Sequence, residues 1–594
     1  YTEMDQYGYE NYDNQQALFH QMHANEEQFL LRKRFKKMLD SPFFGRVDFV
    51  YDGDDEPEIF YIGIGNLSET AGHRPLVYDW RAPVSGLFYD YDKGPAAYEA
   101  PSGTFSGEVV SKWQYKIRRG KMIYEFESDV KIDDEILGAE LGSKGEVQLK
   151  NIVRTIQKEQ NAIIRNTKDR IMVIQGAAGS GKTSVALHRI AYLLYHDREN
   201  LKSSNILVLS PNGVFADYIS HILPELGEEN IREMSFDLFA YRELKGIAAD
   251  CEDRYDQIER VIICPESQEL CRKKQSAEFA GKLDVFMLGM EDDLMNFKDV
   301  EYKGCILKEK EIIDLFYFKF LDIPLLSRME AVAEYFIDQV ETLRDRDLAD
   351  EEKEELTERF QRMYETRDCY ILYSRFLEQE GYKALPRLPL EKRKLRYEDV
   401  YPILYLKYSL FRCKGHHGIK HVVVDEMQDY SWIQFVLLKK LFPCKMTILG
   451  DKAQTMEEQQ QDVLKFLPKI FGRDIRKIVM NRSYRNTMEI AQYANRLTGV
   501  SDIELFDRHG DAVEEMQFKN LHTALDRVLE KWEQKREDYE TEALVLFTER
   551  EAEHAFLYLE EKLRTLDPDG EYQLTYMNRD SQNFKKGLTV TTFY

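Results

Sequence analysis

The chain has 594 residues, enough for roughly three to five domains, and its apolar content of 43% and charged content of 32% are those of ordinary globular proteins. A formal net charge of −24 argues against a surface built for bare DNA, whose phosphates select a basic face, and favours a partner that is itself basic. No apolar run is long enough to span a bilayer, the polar N-terminus has no secretory pattern, and seven scattered cysteines without a C-x-x-C pair fit a reducing cytoplasm better than a disulfide framework.

Residues 1–40 begin acidic and become helical, with Leu31, Phe35 and Met38 on one stripe and Arg32, Lys33, Arg34, Lys36 and Lys37 around it, read as a solvated helix face. The chain starts at Tyr1 rather than Met, so a fragment or trimmed product is expected. Residues 41–150 read as a β-rich domain. Arg46–Tyr51, Ile59–Ile62 and Met122–Phe126 are β-branched and aromatic, and Asp52-Gly-Asp54 and Arg119-Gly-Lys121 punctuate them. Within this domain Asp79-Trp-Arg-Ala-Pro83 is a polar–aromatic knot, read as packing. A helix is predicted over Val153–Asn166.

Ile171–Ile174 then reads as a buried strand, followed by Gly176-Ala-Ala-Gly-Ser-Gly-Lys-Thr183 and an apolar helix over Ser184–Tyr195. The pattern G-x-x-x-x-G-K-[ST] is a P-loop. Its glycines, Gly176, Gly179 and Gly181, permit a tight turn in which successive N–H groups point at phosphate oxygens, with Ala177, Ala178, Ser180 and Ser184 in the same cradle. Lys182 brings a cation to the β/γ-phosphates, Thr183 a hydroxyl to Mg²⁺, and the helix the positive end of its dipole. Asn205–Ser210 is a second short strand, so the expected class is α/β. Residues 228–399 read as a highly charged helical insertion. Val332, Phe336 and Val340, and Leu356, Phe360 and Met363, form apolar stripes beside acidic runs.

Strand logic returns at His421–Val424, which ends in Asp425-Glu-Met-Gln-Asp429. Asp425 is placed to hold Mg²⁺ through water, and Glu426 to orient or deprotonate an attacking water. Cys413, His416, His417 and His421 lie close together. With no second cysteine pair they read as a loop rather than a metal site. Met446–Leu449 ends in Gly450-Asp-Lys-Ala-Gln454, placing two acidic strand ends at one sheet edge. From about Arg473 a second α/β segment follows, with Ala543–Phe547 and Leu588–Tyr594 as strands.

Together the P-loop, Asp425-Glu-Met-Gln-Asp429, Ile448-Leu-Gly-Asp-x-x-Gln454 and Ser483-Tyr-Arg485 resemble superfamily-1 helicases of the UvrD/Rep/PcrA class, over Gln160 to Tyr594. Within that class the chain is similar to HelD, the helicase-like factors that bind bacterial RNA polymerase. Three features carry the narrower resemblance: the β-rich region ahead of the motor, the helical insertion and the acidic balance. The resemblance implies a P-loop (RecA-like) motor with a β-rich N-terminal region and a large helical insertion. The first RecA-like domain is expected at 151–227 and 400–472, the insertion (an arm) at 228–399, and a second RecA-like domain, incomplete, at 473–594. Residues 1–40 would be the remnant of a coiled coil.

It also implies roles. Gln160 would read the adenine edge, Gln428 and Gln454 would sense the γ-phosphate, Tyr484 would stack on adenine, and Arg485 would reach the γ-phosphate from the second domain. Ser184 stands where the class often has Arg. The expected activity is ATP hydrolysis with Mg²⁺. The expected partner is the core RNA polymerase of a bacterium, freed of trapped nucleic acid by a cytoplasmic protein that is monomeric when free, with indirect or weak nucleic-acid contact and none to membrane. Turnover is expected to be weak or absent if the second domain ends at Tyr594. The alternative is a repair-type DNA helicase. Phe215 is the only aromatic in Pro211-Asn-Gly-Val-Phe-Ala216, which weakens that alternative.

Overall fold

The structure is a computed structural model. It describes residues 32, 35–36, 38–69, 73–127, 160–177, 179–211, 231–291, 293–412, 415–451, 454, 463–480, 482–483, 486–499, 504–505, 508–535, 539, 541–566, 573–578 and 586–593.

The N-terminal region is a six-stranded sheet built from β1 (Gly45–Tyr51), β2 (Glu58–Gly63), β3 (Val77–Asp79), β4 (Gly94–Ala100), β5 (Gly103–Arg118) and β6 (Lys121–Glu127). Its order is β3-β2-β1-β5-β4, with β6 on β5. All pairs are antiparallel except β2–β3. A short helix, α1 (Gly86–Asp90), follows the Asp79–Pro83 knot. Of the expected stripe at 31–38, Met38 is buried and Phe35 is exposed, and Leu31 lies outside the described residues.

The motor begins with helical residues 160–164, which end before the predicted Asn166. Next come β7 (Ile171–Gly176), α2 (Lys182–His196), β8 (Ile206–Leu209) and β9 (Arg232–Met234). The insertion supplies α3 (Phe236–Glu243), α4 (Arg254–Ile263), α5 (Pro265–Lys274), α6 (Ala277–Gly289), α7 (Glu309–Asp314), α8 (Arg328–Arg344), α9 (Asp350–Gln361) and α10 (Cys369–Gln379), and α11 (Tyr397–Leu410) leads back. Two small ribbons lie within it: β10 (Asp250–Cys251) with β13 (Lys394–Leu395), and β11 (Val300–Tyr302) with β12 (Cys305–Leu307). Then follow β14 (His421–Val424), α12 (Trp432–Leu441), β15 (Lys445–Gly450), α13 (Val463–Phe471) and β16 (Ile475–Met480).

The central sheet has the order β16-β7-β15-β14-β8-β9 and is parallel throughout. Its side chains alternate between two cores, as a period of two requires. Ile171, Val173, Leu207, Leu209, Val422, Val424, Met446 and Ile448 face the core that also holds the insertion helices. Met172, Ile174, Ile206, Val208, Val423 and Leu449 face α2 and the N-terminal sheet, in one cluster with Phe49, Phe60, Trp80 and Phe88. Strands covered on both faces read as continuous apolar runs, which is why β7, β8, β14 and β15 were legible.

Three expected boundaries are corrected. The sheet does not stop at 227, because β9 extends it along β8. It does not end at 472, because β16 pairs with β7. Both are edge strands carrying charge, Arg232-Glu-Met234 and Ile475-Arg-Lys-Ile-Val-Met480, so neither shows the apolar run of a central strand. The boundary at 399/400 falls inside α11. Beyond Met480 come the β17 (Arg482–Ser483)–β18 (Glu504–Leu505) bridge, α14 (Met488–Thr498) and α15 (Leu521–Lys535). They are followed by β19 (Thr541–Leu546), α16 (Glu549–Leu566), β20 (Leu574–Tyr576) and β21 (Gly587–Thr592), with a three-stranded parallel sheet in the order β19-β21-β20. No helix among the described residues is long and apolar enough to cross a membrane.

Candidate active site

Strand β7 delivers Gly176 to the C-terminal edge of the sheet, and the chain turns there into α2. Gly179 and Gly181 have φ of 76° and 82°, in the left-handed region that glycine enters without a steric cost. A Cβ on Gly176 would stand 2.5 Å from Ser180 Oγ and 2.6 Å from Lys182 Cγ, so this backbone has to be bare. Three features fit a polyphosphate. The N-terminus of α2 has Gly181 at its cap position with no side-chain cap, which leaves the dipole and first-turn N–H groups to an anion. Ser180 Oγ is buried without a hydrogen-bond partner, a cost that a phosphate oxygen would relieve. Lys182 Nζ curls over the loop, donating to Gly176 O at 2.9 Å and Ala177 O at 3.2 Å. Thr183 and Ser184 follow, half-buried, in the first turn of α2. Ala178 lies outside the described residues.

The second half of the site stands on β15, which pairs with β7, and on β14 beyond it. Asp425 leaves the end of β14 with its N–H bonded to Leu209 O at 2.9 Å, and only 5% of the residue is exposed. Burial, then the charge of Glu426, push its carboxyl up to about 7, against the pull of Lys182. Glu426 has φ 52° and ψ 50°, a left-handed conformation uncommon for a non-glycine residue and a form of strain that clusters at functional sites. Its N–H donates to Asp425 Oδ1 at 3.0 Å, and its Oε2 accepts from Gln428 Nε2 at 2.7 Å. Gln428 Oε1 in turn accepts from Asp451 N at 2.9 Å. Gly450 is required here, since a Cβ would stand 2.5 Å from Gln428 Oε1. The expected Asp425–Glu426–Gln428 group is therefore locked together and tied to the end of β15. Gln454 is not part of that lock. It is exposed, with its N–H on Asp451 O at 3.0 Å. Tyr484 and Arg485 lie outside the described residues.

Gln160 reaches the P-loop, its Nε2 donating to Ser180 O at 3.3 Å. The segment that carries it is held from two sides, and sequence reading missed both. From α2, buried Arg189 donates to Ile163 O at 2.7 Å and to Asn166 O, and its Nε donates to Thr447 Oγ1 at 3.1 Å. From the N-terminal domain, Tyr89 O accepts from Asn161 Nδ2 at 3.2 Å and Trp80 O accepts from Arg165 Nη2 at 3.2 Å. The Asp79–Pro83 knot explains itself here. Arg81 forks onto Asp79 at 2.8 and 2.7 Å with both side chains buried, and its guanidinium lies 4.7 Å from the Tyr195 ring of α2. Trp80 meets His188 of α2 edge to face at 5.8 Å. The knot is a plug between the β domain and the P-loop helix. The signal was present as an arginine set among apolar residues, but its partner lies more than a hundred residues away.

Two further charged groups border the site. Glu233 on β9 is half-buried, and burial followed by the charge of Asp425 raises its carboxyl to about 7. Arg254 on α4 pairs with Asp429 Oδ2 at 3.2 Å. Among the described residues no three carboxylate, histidine or cysteine side chains group closely enough to hold a metal ion alone. The histidines near 416–421 are engaged elsewhere. His421 Nε2 bonds Thr447 Oγ1 at 3.0 Å, and His416 stacks on Phe442. Cys413 lies outside the described residues.

Comparison with known proteins agrees with this layout. The family model described as the UvrD/REP helicase N-terminal domain matches residues 156–456, half of the chain. The model described as the N-terminal domain of DNA helicase IV HelD matches residues 2–142. A probable DNA helicase II homolog of Mycoplasma capricolum is 22% identical over 360 residues, 58% of this chain and 41% of that protein. The ATP-dependent DNA helicase PcrA of Staphylococcus epidermidis is 41% identical over 59 residues, 10% of this chain and 8% of its own length. The chain thus spans well under half the length of the curated relatives it matches.

Proposed function

This chain belongs to the UvrD/REP helicase family, with a HelD-type N-terminal domain ahead of the motor, and from that premise we propose that it is an ATP-driven factor that binds core RNA polymerase and displaces nucleic acid trapped on it. The family is one of ATP-hydrolysing superfamily-1 motors. ATP as the substrate here is supported by the uncapped α2 N-terminus, the orphaned Ser180 Oγ and Lys182. In this reading the P-loop N–H groups and Lys182 bind and orient the triphosphate. Thr183, Asp425 and Glu233 would hold Mg²⁺, which when bound supplies positive charge at the phosphate oxygens. Glu426, fixed by its left-handed backbone and by Gln428, orients the attacking water and accepts its proton. Gln428 ties that carboxylate to Gly450–Asp451 and so to the neighbouring strand. Gln160, which donates to Ser180 O, would read the adenine edge. Tyr484, Arg485 and Gln454 keep their proposed roles at adenine and the γ-phosphate.

The observation that carries the polymerase reading is the HelD-type domain itself, together with the way it is built in. It shares an apolar core with α2, and its Trp80 and Tyr89 carbonyls hold the Gln160 segment. A domain mounted on the nucleotide site in this way is placed to convert a nucleotide cycle into work on what it grips. The net charge of −24 supports a basic protein surface over a DNA strand as the thing gripped. The relatives' names favour a second reading, a DNA helicase. Gel filtration of the chain with core polymerase, beside anisotropy on labelled single-stranded DNA, separates the two. Co-elution at moderate salt with little DNA affinity is the expected result. Tight, salt-sensitive DNA binding without a polymerase complex would move the assignment to the helicase.

A further inference from the structure

Helix α4 (Arg254–Ile263) buries none of its residues fully, although it lies between the motor and the rest of the insertion. Polar contacts fix it at three points. At its N-terminus Asp253 caps Tyr255 N at 2.7 Å, and the Arg254 guanidinium pairs with Asp429 at 3.2 Å, the two side chains 19% and 10% exposed. One turn from its C-terminus Arg260 forks onto Glu252 at 2.9 and 2.8 Å and reaches Glu398 of α11 at 2.5 Å. Between them Glu259 Oε1 accepts the backbone N–H of Glu549 at 2.6 Å. Glu549 is the first residue of α16, in the C-terminal α/β segment. A carboxylate there meets both an orphan N–H and the positive end of the helix dipole.

Asp429 closes the short turn Met427–Asp429, and its N–H donates to Glu426 O at 2.9 Å. The charge of Arg254 also acts on Asp237, whose carboxylate accepts from Tyr397 Oη at 3.1 Å and from Tyr401 Oη. Burial raises both carboxyls and Arg254 opposes it at each. The guanidinium is therefore paired with the turn that carries Glu426, and its charge also acts on a carboxylate fixed in the insertion. A change of charge beside Glu426 alters that pairing, and no side chain of α4 is fully buried to resist a small shift.

We propose that α4 is a polar relay, in which Arg254 is a positioning residue for the Glu426–Asp429 turn and Glu259 passes the position of that turn to α16. This rests on reading the turn as the hydrolytic segment. It adds a route from that turn to the C-terminal segment that runs through the insertion rather than directly between the two.

Hydrogen exchange of the full chain, with and without ATPγS and Mg²⁺, tests it. In the wild type, nucleotide should change exchange by more than about threefold in residues 254–263 and at the N-terminus of α16. Arg254→Met should keep ATPγS affinity within about threefold and lose both responses. Arg254→Lys should restore them in part, since the charge returns without the planar guanidinium. Glu259→Gln, a milder change, should lose the α16 response alone and decides the matter if Arg254→Met fails to fold. A merely structural Arg254 would lower stability and leave the responses in place. An α16 response surviving both substitutions, or no response in a wild type that binds nucleotide, overturns the relay. A wild type that does not bind ATPγS overturns the reading of the site beneath it.

Discussion

With Lys182 replaced by alanine, the loop loses a side-chain cation that curls over Gly176 and Ala177. ATP affinity should fall by about 100-fold, ~3 kcal/mol for a charged contact, with the circular dichroism unchanged. Calorimetric titration checks it. Glu426→Gln keeps the shape of the turn but not the base. It should bind ATP as the wild type does and turn over at least about 10²-fold more slowly. Wild-type phosphate release by this variant would remove Glu426 from the proposed role. His421 carries a pH prediction. Burial holds its imidazole neutral, with the pKa down at about 3 against 6.5 for the free side chain. The unfolded chain therefore takes up a proton below 6.5 that the folded chain refuses. Stability present above pH 6.5 is lost as pH falls towards 3, by up to about 1.4 kcal/mol per unit from this residue. Urea titrations at pH 7 and pH 5 should show the loss, and His421→Asn should flatten it. Of the site, the residues within the two motifs were legible because their spacing is local. Arg189, Arg254 and Trp80 were not, because each acts through a partner on a distant element.

At the scale of elements, the strands that were legible are those covered on both faces. Ile171–Ile174, Ile206–Leu209 and Val422–Val424 are unbroken apolar runs. The edges β9 and β16 were misplaced because half-exposed strands carry charge and imitate linkers. The same logic predicts how the N-terminal sheet is attached. Trp80 is 4% exposed in the core shared with α2 and backs the carbonyl that holds Arg165. Trp80→Ala should cost about 3–5 kcal/mol by cavity formation. It should also weaken nucleotide binding, because the Trp80 carbonyl that holds Arg165 remains but loses the ring that fixes its position. A lowered melting temperature with unchanged ATP affinity would mean that the plug is structural only. Removing the insertion wholesale is a poor test of its function. Its helices share one core with Ile171, Leu209, Val424 and Ile448, so the motor should unfold with it.

For the whole molecule, the central sheet is a wall between two cores. One joins the motor to the insertion and the other joins it to the HelD-type domain. The candidate nucleotide site stands on the rim of that wall, with Met427 in one core and α2 in the other. If nucleotide alters the grip on a partner, the partner must alter nucleotide affinity by the same factor, since coupling between binding sites is reciprocal. The dissociation constant of a fluorescent ATP analogue should therefore be measured on the full chain alone, with saturating core RNA polymerase, and with saturating single-stranded DNA. The expected result is a shift of about fivefold or more with polymerase and none with DNA. A shift with DNA and none with polymerase would contradict the assignment and return the chain to the DNA helicases it resembles.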